Sequence, residues 1–78
     1  MAVDGASQDP CHSMDWKESC KYLENPDAAV ENRYRALFFS RQTAPSTAEL
    51  VELLTKTLQH ETSELMRHEV CYVLGQCG

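Results

Sequence analysis

The chain has 78 residues, with twelve acidic against seven basic side chains and a net charge of −5. This length allows one small domain and is too short for a large enclosed catalytic core. The negative charge argues against binding to a nucleic-acid backbone, which needs clustered lysine and arginine. The sequence also lacks a membrane-spanning apolar run and the pattern of a signal peptide. We therefore expect a soluble, cytoplasmic protein that binds neither nucleic acid nor membrane, with its four cysteines as free thiols.

The first thirteen residues are mostly small and polar, with almost no apolar anchor. Such a segment cannot offset the entropy of ordering, so residues 1–13 are predicted to be a flexible tail. A short first helix is predicted over residues 14–24, where apolar side chains recur at helical spacing. These side chains are Trp16, Cys20 and Leu23. A turn signal at residues 25–27, with a proline at its centre, ends this helix.

A second helix is predicted over residues 27–41, because apolar residues again recur at helical spacing. They are Val30, Tyr34, Leu37 and Phe38. The charged residues between them are expected to face water. They are Glu31, Arg33, Arg35 and Arg41.

Two further helices are predicted after the breaker at residues 43–46. Ser46 and Glu49 have the spacing of a capping box, which predicts a third helix over residues 47–59. A turn at residues 60–62 leads to a fourth helix capped by Thr62 or Ser63 and loosening at its two late glycines. The predicted buried face of this fourth helix consists of Leu65, Met66, Val70, Val73, Leu74 and Cys77.

The two predicted helical hairpins can be laid over each other with an offset of 34 residues, as between Trp16 and Leu50. The same offset places Phe38 on Tyr72. A helix-turn-helix unit of about this length is the building block of α-solenoids. The sequence therefore predicts an all-α fold in which two similar hairpins stack in tandem.

Two adjacent His-Glu pairs are candidate metal ligands, since imidazole and carboxylate both bind divalent metals. His68 and Glu69 lie in the middle of the fourth helix and differ by roughly 100° around its axis, so both can reach a cavity beside the apolar face. A partly buried histidine without a metal is the competing interpretation of His68. The second pair, His60-Glu61, falls in the turn before this helix. We expect that pair to point to solvent and to bind nothing.

Two segments resemble motifs of the deoxyhypusine hydroxylases, a family of HEAT-repeat oxygenases. Residues 33–38 read RYRALF and match an R-[FY]-R-A-L-F segment in the family's ligand-free first repeat. Residues 67–76 read RHEVCYVLGQ and match [RK]-H-E-x-x-Y-x-L-G-Q in the next repeat. The resemblance covers residues 14–78 and implies two tandem HEAT-like helical hairpins, an α-solenoid fragment with repeat one at 14–42 and repeat two at 47–78.

The resemblance also implies an activity. In this family, four His-Glu pairs from four repeats hold two irons, which activate dioxygen to hydroxylate deoxyhypusine on a translation initiation factor and form hypusine. It implies His68 and Glu69 as Fe(II) ligands, with no catalytic residue beyond the metal ligands and no other cofactor site. Because the other three pairs belong to the remaining HEAT repeats, this chain alone is expected to bind iron weakly or not at all and to be inactive.

A second interpretation is a non-catalytic HEAT-like interaction module in which His68 and Glu69 are incidental. About three repeats are usually needed for a stable stack. We therefore expect marginal folding or self-association through an open face of the second hairpin. That face would consist of Val70, Val73 and Leu74.

Overall fold

The computed structural model describes residues 13–77, and this part of the chain contains four helices and no strand. Helix α1 spans Trp16–Leu23, α2 spans Val30–Thr43, α3 spans Thr47–His60 and α4 spans Glu64–Cys77. The all-α prediction is confirmed. The predicted flexible tail lies outside the described residues except for Ser13, so it stays a prediction. None of the described helices is long and apolar enough to cross a membrane.

Short polar side chains set the starts of three helices. The Asp15 carboxylate accepts a hydrogen bond from the backbone N–H of Glu18 at 2.8 Å, which caps α1. Ser46 caps α3 by accepting from the N–H of Glu49 at 3.2 Å, as the capping-box spacing predicts. At the start of α4, the hydroxyl that accepts a hydrogen bond, from the N–H of Met66 at 3.2 Å, is that of Ser63. These local hydrogen bonds satisfy backbone donors that the helices themselves leave unpaired.

The start of α2 differs from the prediction by three residues. The helix begins at Val30, after Ala29, and has no side-chain cap. The predicted start, Asp27, instead lies in the turn, where its N–H donates to the side-chain oxygen of Asn25 at 3.0 Å. This Asx-type hydrogen bond offers the backbone an alternative to the helix, and it delays the first helical turn.

The four helices form two hairpins stacked on each other. Helix α1 packs mainly on α2 and α3 on α4, while α1 also contacts α3 and α2 contacts α4. The first helices of the two hairpins therefore contact each other, and so do the second helices, as in consecutive solenoid repeats. One core runs through both hairpins, and its fully or nearly buried apolar residues are Met14, Leu23, Ala36, Leu37, Leu50, Leu53, Leu54, Met66, Val70 and Val73. Burying each of the larger of these side chains contributes roughly 1.5–3 kcal/mol.

The buried face of α2 is not the predicted one. Val30 and Phe38 are 37% and 54% exposed, whereas Arg33 is buried. The prediction that Arg33 faces water is therefore wrong. The physical reason is that α2 contacts both α1 and α4, so that its covered surface is wider than one apolar stripe and includes polar residues. The buried residues of α2 are Arg33, Ala36, Leu37 and Ser40.

The apolar face of α4 is confirmed in part. Met66, Val70 and Val73 are buried, but Leu65 is 60% exposed. The proposed open face is also wrong in its composition, because Val70 and Val73 are already covered within this chain and Leu74 is half-buried. The large apolar side chains that α4 does expose are Leu65 and Tyr72.

Candidate metal ligands and the cavity between helices α2 and α4

His68 and Glu69 lie in the second turn of α4, as predicted, and have different surroundings. The His68 side chain is exposed, whereas Glu69 is half-buried. Adjacent helical residues point about 100° apart, so one of the two can face a neighbouring helix while the other faces water. Here it is Glu69 that faces α2.

Glu69 lines a cavity of about 230 Å³ between α2 and α4. The rest of its lining is aromatic and aliphatic except for one arginine, and consists of Tyr34, Leu37, Phe38, Arg41, Tyr72 and Val73. His68 is not among the residues that line it. The cavity therefore presents one carboxylate among mainly apolar walls, with the imidazole of His68 outside it.

The Tyr34 hydroxyl of α2 and the Glu69 carboxylate of α4 interact electrostatically. Burial, and after it the negative charge of Glu69, raises the pKa of Tyr34 above its usual value. A carboxylate disfavours the phenolate because both carry negative charge. Tyr34 therefore stays a neutral hydrogen-bond donor near Glu69 at neutral pH.

A chain of hydrogen bonds links α2 to the last turns of α4 beside this cavity. Arg41 Nη2 donates to Gln76 Oε1 at 2.8 Å, and Gln76 Nε2 donates to Tyr72 Oη at 3.2 Å. Because a guanidinium can only donate, the amide oxygen of Gln76 must face Arg41 and its NH₂ group faces the tyrosine. Tyr72 and Gln76 both belong to the motif at residues 67–76, and the structure shows what they contact.

The pair His60-Glu61 is not solvent-exposed, and the prediction that it points to water is wrong. The Glu61 side chain is fully buried and forms an ion pair with Arg33 Nη1. The same carboxylate oxygen accepts from the N–H of Ser63 at 2.9 Å. His60 Nε2 lies 3.1 Å from the carbonyl oxygen of Leu23, at the end of α1. The turn between α3 and α4 therefore packs against the first hairpin.

The charge of Glu61 is stabilised where it lies. Burial by itself raises the pKa of this carboxyl. The hydrogen bonds from Arg33 and from the backbone N–H of Ser63, together with the charge of Arg33, lower the pKa by more than burial raises it. The net result is a pKa below the usual value for glutamate, so the group is ionised at neutral pH. Arg33 is held from its other side, since its Nε donates to the carbonyl of Ala28 at 3.0 Å.

A sequence signal for these arginines exists in the 34-residue offset, which places Arg33 on Arg67. Arg67 Nη1 donates to the carbonyls of Leu58 at 2.6 Å and Glu61 at 3.4 Å. Each arginine thus contacts the backbone of the turn that precedes its own helix. The equivalence could have indicated that Arg33 is a structural residue, but nothing in the sequence indicates that Glu61 is its partner.

Within residues 13–77, no group of three or more His, Cys, Asp or Glu side chains lies close enough together to hold a metal ion. His68 and Glu69 offer one imidazole and one carboxylate from a single helix. This donor set suits Fe(II) and other divalent transition metals. It supplies two ligands, and further ligands would have to come from other residues.

Comparison with known proteins gives two curated relatives, while no protein-family model and no solved structure matches the chain. The chain is 39% identical over 61 residues to the deoxyhypusine hydroxylase of Eremothecium gossypii, and the aligned region covers 70% of the chain and 19% of the relative. It is 40% identical over 58 residues to the deoxyhypusine hydroxylase of Plasmodium vivax, which covers 72% of the chain and 17% of the relative. The chain spans about a fifth of the length of the curated relatives it matches. Over most of its own length, then, this chain is similar to one part of two proteins named deoxyhypusine hydroxylase.

Proposed function

We propose that this chain is part of a deoxyhypusine hydroxylase, an iron-dependent monooxygenase, in which His68 and Glu69 are one pair of iron ligands. The observation that carries the proposal is the similarity, at about 40% identity, to two curated proteins of that name. The position of Glu69 supports it, because its carboxylate lies between two stacked helices beside a cavity.

His68 and Glu69 would hold Fe(II) through an imidazole nitrogen and a carboxylate oxygen. When bound, the irons of the complete site supply the activation of dioxygen. The chain's own residues set the surroundings of the ligand Glu69. Tyr34 lines the same cavity. The apolar walls of the cavity lower the local dielectric, which strengthens the attraction of the carboxylate for a cation.

The substrate in this proposal is a deoxyhypusine-bearing translation initiation factor, which would place the protein in the cytoplasm. The remaining HEAT repeats of the longer protein would supply the other three ligand pairs. With only two ligands, the 78-residue chain should bind Fe(II) weakly and have no turnover. We expect its affinity for Fe(II) to exceed that of a His68→Ala variant by no more than about tenfold, or roughly 1.4 kcal/mol.

A chimeric enzyme tests the proposal. In it, residues 14–77 of this chain replace the matched segment of the Eremothecium gossypii relative, and hydroxylation of a deoxyhypusine-bearing protein is measured. We expect turnover in the chimera and its loss in His68→Ala and Glu69→Gln. Cys71→Ala is the matched control, because Cys71 is an exposed residue one turn from His68 on the same helix.

A folded chimera without turnover would contradict the proposal, and so would two further outcomes. A chimera that folds and binds iron but is as active with His68→Ala as without it would show that this pair is not a ligand. Tight iron binding by the 78-residue chain alone would show that the ligand set has been assigned wrongly.

The second candidate function, a non-catalytic interaction module, is favoured by the exposed side chains on α4. Leu65 and Tyr72 are 60% and 59% exposed and lie on either side of His68, three residues before it and four after it. Residues at these spacings share one helix face. A folded chimera without turnover would favour this function, since the exposed face would then serve contact with another protein.

A further inference from the structure

A buried ion pair connects the two hairpins. The side chains of Arg33 on α2 and Glu61 in the turn before α4 are 7% and 0% exposed. The proposed iron site does not use either residue. Burying two charges is costly unless they are paired and hydrogen-bonded, so the partners of this pair indicate what it does.

The pair ties together the turns of both hairpins. Arg33 donates to Glu61 with one nitrogen and to the carbonyl of Ala28, in the turn between α1 and α2, with another at 3.0 Å. The Glu61 carboxylate accepts in turn from the N–H of Ser63 at 2.9 Å. Because the hydroxyl of Ser63 caps α4, the ion pair is joined directly to the first residues of that helix.

A second polar link, between α2 and α4 themselves, is of a different kind. The hydrogen bond between Arg41 and Gln76, near the far end of both helices, joins two exposed side chains. Water competes for exposed hydrogen bonds, so each contributes little net free energy. Glu69 lies between the two links, six residues after Ser63, which is roughly 9 Å along the helix axis.

We propose that Arg33 and Glu61 are positioning residues: their buried ion pair fixes α4 against α2 and thereby holds Glu69 in the cavity that Tyr34 lines. The proposal rests on the proposed function only in treating Glu69 as a ligand. Its physical content is a property of the chain itself, namely the docking of one helix on another.

The energetics of buried ion pairs favour a positioning role over a purely stabilising one. Replacing such a pair by apolar residues of similar size is often neutral or stabilising, because the charges lose much of their attraction to desolvation. Apolar residues cannot replace the directional hydrogen bonds that the charged side chains form. Arg33 and Glu61 place hydrogen bonds on the backbone of Ala28 and Ser63, and these specify one orientation of the two turns.

Native-state amide hydrogen exchange of the full 78-residue chain tests the proposal, since it reports the opening of each helix separately. The variants are Glu61→Gln and the double variant Arg33→Met with Glu61→Leu. The control is Glu52→Gln, which removes the exposed ion pair with Lys56 on α3. In Glu61→Gln we expect the amides of α4 to lose at least tenfold more protection than those of α2.

The double variant distinguishes a role in positioning α4 from a role in the overall stability of the chain. We expect it to restore the protection of α1 to α3 to within about threefold of the wild type while α4 stays at least tenfold less protected. Three results would overturn the positioning role. They are an equal loss of amide protection in all four helices of Glu61→Gln, a full recovery of the protection of α4 in the double variant, and a double variant that does not fold. A chimera without turnover would contradict the proposed function and leave this exchange result unchanged, so the two failures are distinguishable.

Discussion

The turn that carries His60 and Glu61 and the helix face that carries His68 and Glu69 bear the same two side-chain types in different surroundings. In the turn, the glutamate is fully buried against an arginine from the first hairpin and the histidine contacts a backbone carbonyl. On α4, the histidine is exposed and the glutamate is half-buried beside a cavity. The difference shows that the neighbouring repeat, and not the dipeptide, decides which pair is structural and which stays accessible to a ligand.

The largest expected effect comes from removing the buried charge of Glu61. Glu61→Leu leaves Arg33 charged and unpaired in the interior, so the free energy of unfolding should fall by about 3–5 kcal/mol. Glu64→Leu, which removes an exposed carboxylate from the first turn of α4, should change it by less than about 0.5 kcal/mol. Urea denaturation followed by circular dichroism measures both. Similar losses in the two variants would remove the distinction between the turn and the helix face.

The contribution of Glu61 to stability should depend on pH in the acid range. Its pKa in the folded protein lies below the usual value, because the hydrogen bonds and the charge of Arg33 outweigh the effect of burial. Its stabilisation is therefore complete above the unfolded-state pKa of about 4.3 and is lost as the pH falls through the folded-state pKa. The difference in unfolding free energy between the wild type and Glu61→Leu should narrow as the pH is lowered from 6 toward 2. A gap that is constant over this range would contradict the prediction.

Replacing the histidine of the turn should also cost more unfolding free energy than replacing the histidine of α4, but the difference should be smaller than for the glutamates. His60→Ala removes the contact with the carbonyl of Leu23 and should cost about 1 kcal/mol of unfolding free energy. His68→Ala changes an exposed side chain and should stay within about 0.5 kcal/mol of the wild type. Thermal and urea unfolding of the two variants side by side measures this difference. A larger loss in His68→Ala than in His60→Ala would reverse the comparison.

The smallest expected effect is a change in the pKa of Tyr34, which lines the cavity beside Glu69. Burial and the charge of Glu69 raise the pKa of Tyr34, so Glu69→Gln should lower that pKa toward its usual value. Glu64→Gln, on the exposed first turn of the same helix, should leave it unchanged. NMR titration of the Tyr34 ring at alkaline pH resolves this residue from the other two tyrosines. A pKa of Tyr34 that is the same in the wild type and in Glu69→Gln would show that the carboxylate does not face the ring.

The helices themselves could be predicted from the sequence because their signals are local. Caps such as Ser46 act over three residues, and the apolar residues of α3 recur within one helix, so neighbouring letters carry the information. The 34-residue offset likewise indicated two stacked hairpins. The sequence also placed His68 and Glu69 in the middle of α4, since a helix position follows from periodicity alone.

Tertiary structure decided which side chains are covered, because coverage depends on residues distant in sequence. Arg33 and Glu61 are 28 residues apart and become partners only when the second hairpin stacks on the first. Helix α2 contacts two other helices, and the surface that they cover includes Arg33, which does not follow the apolar period. Phe38 follows that period and is exposed, because neither neighbour covers it. A repeat buries its faces against its neighbour, and a periodic pattern within one helix does not contain the neighbour's position.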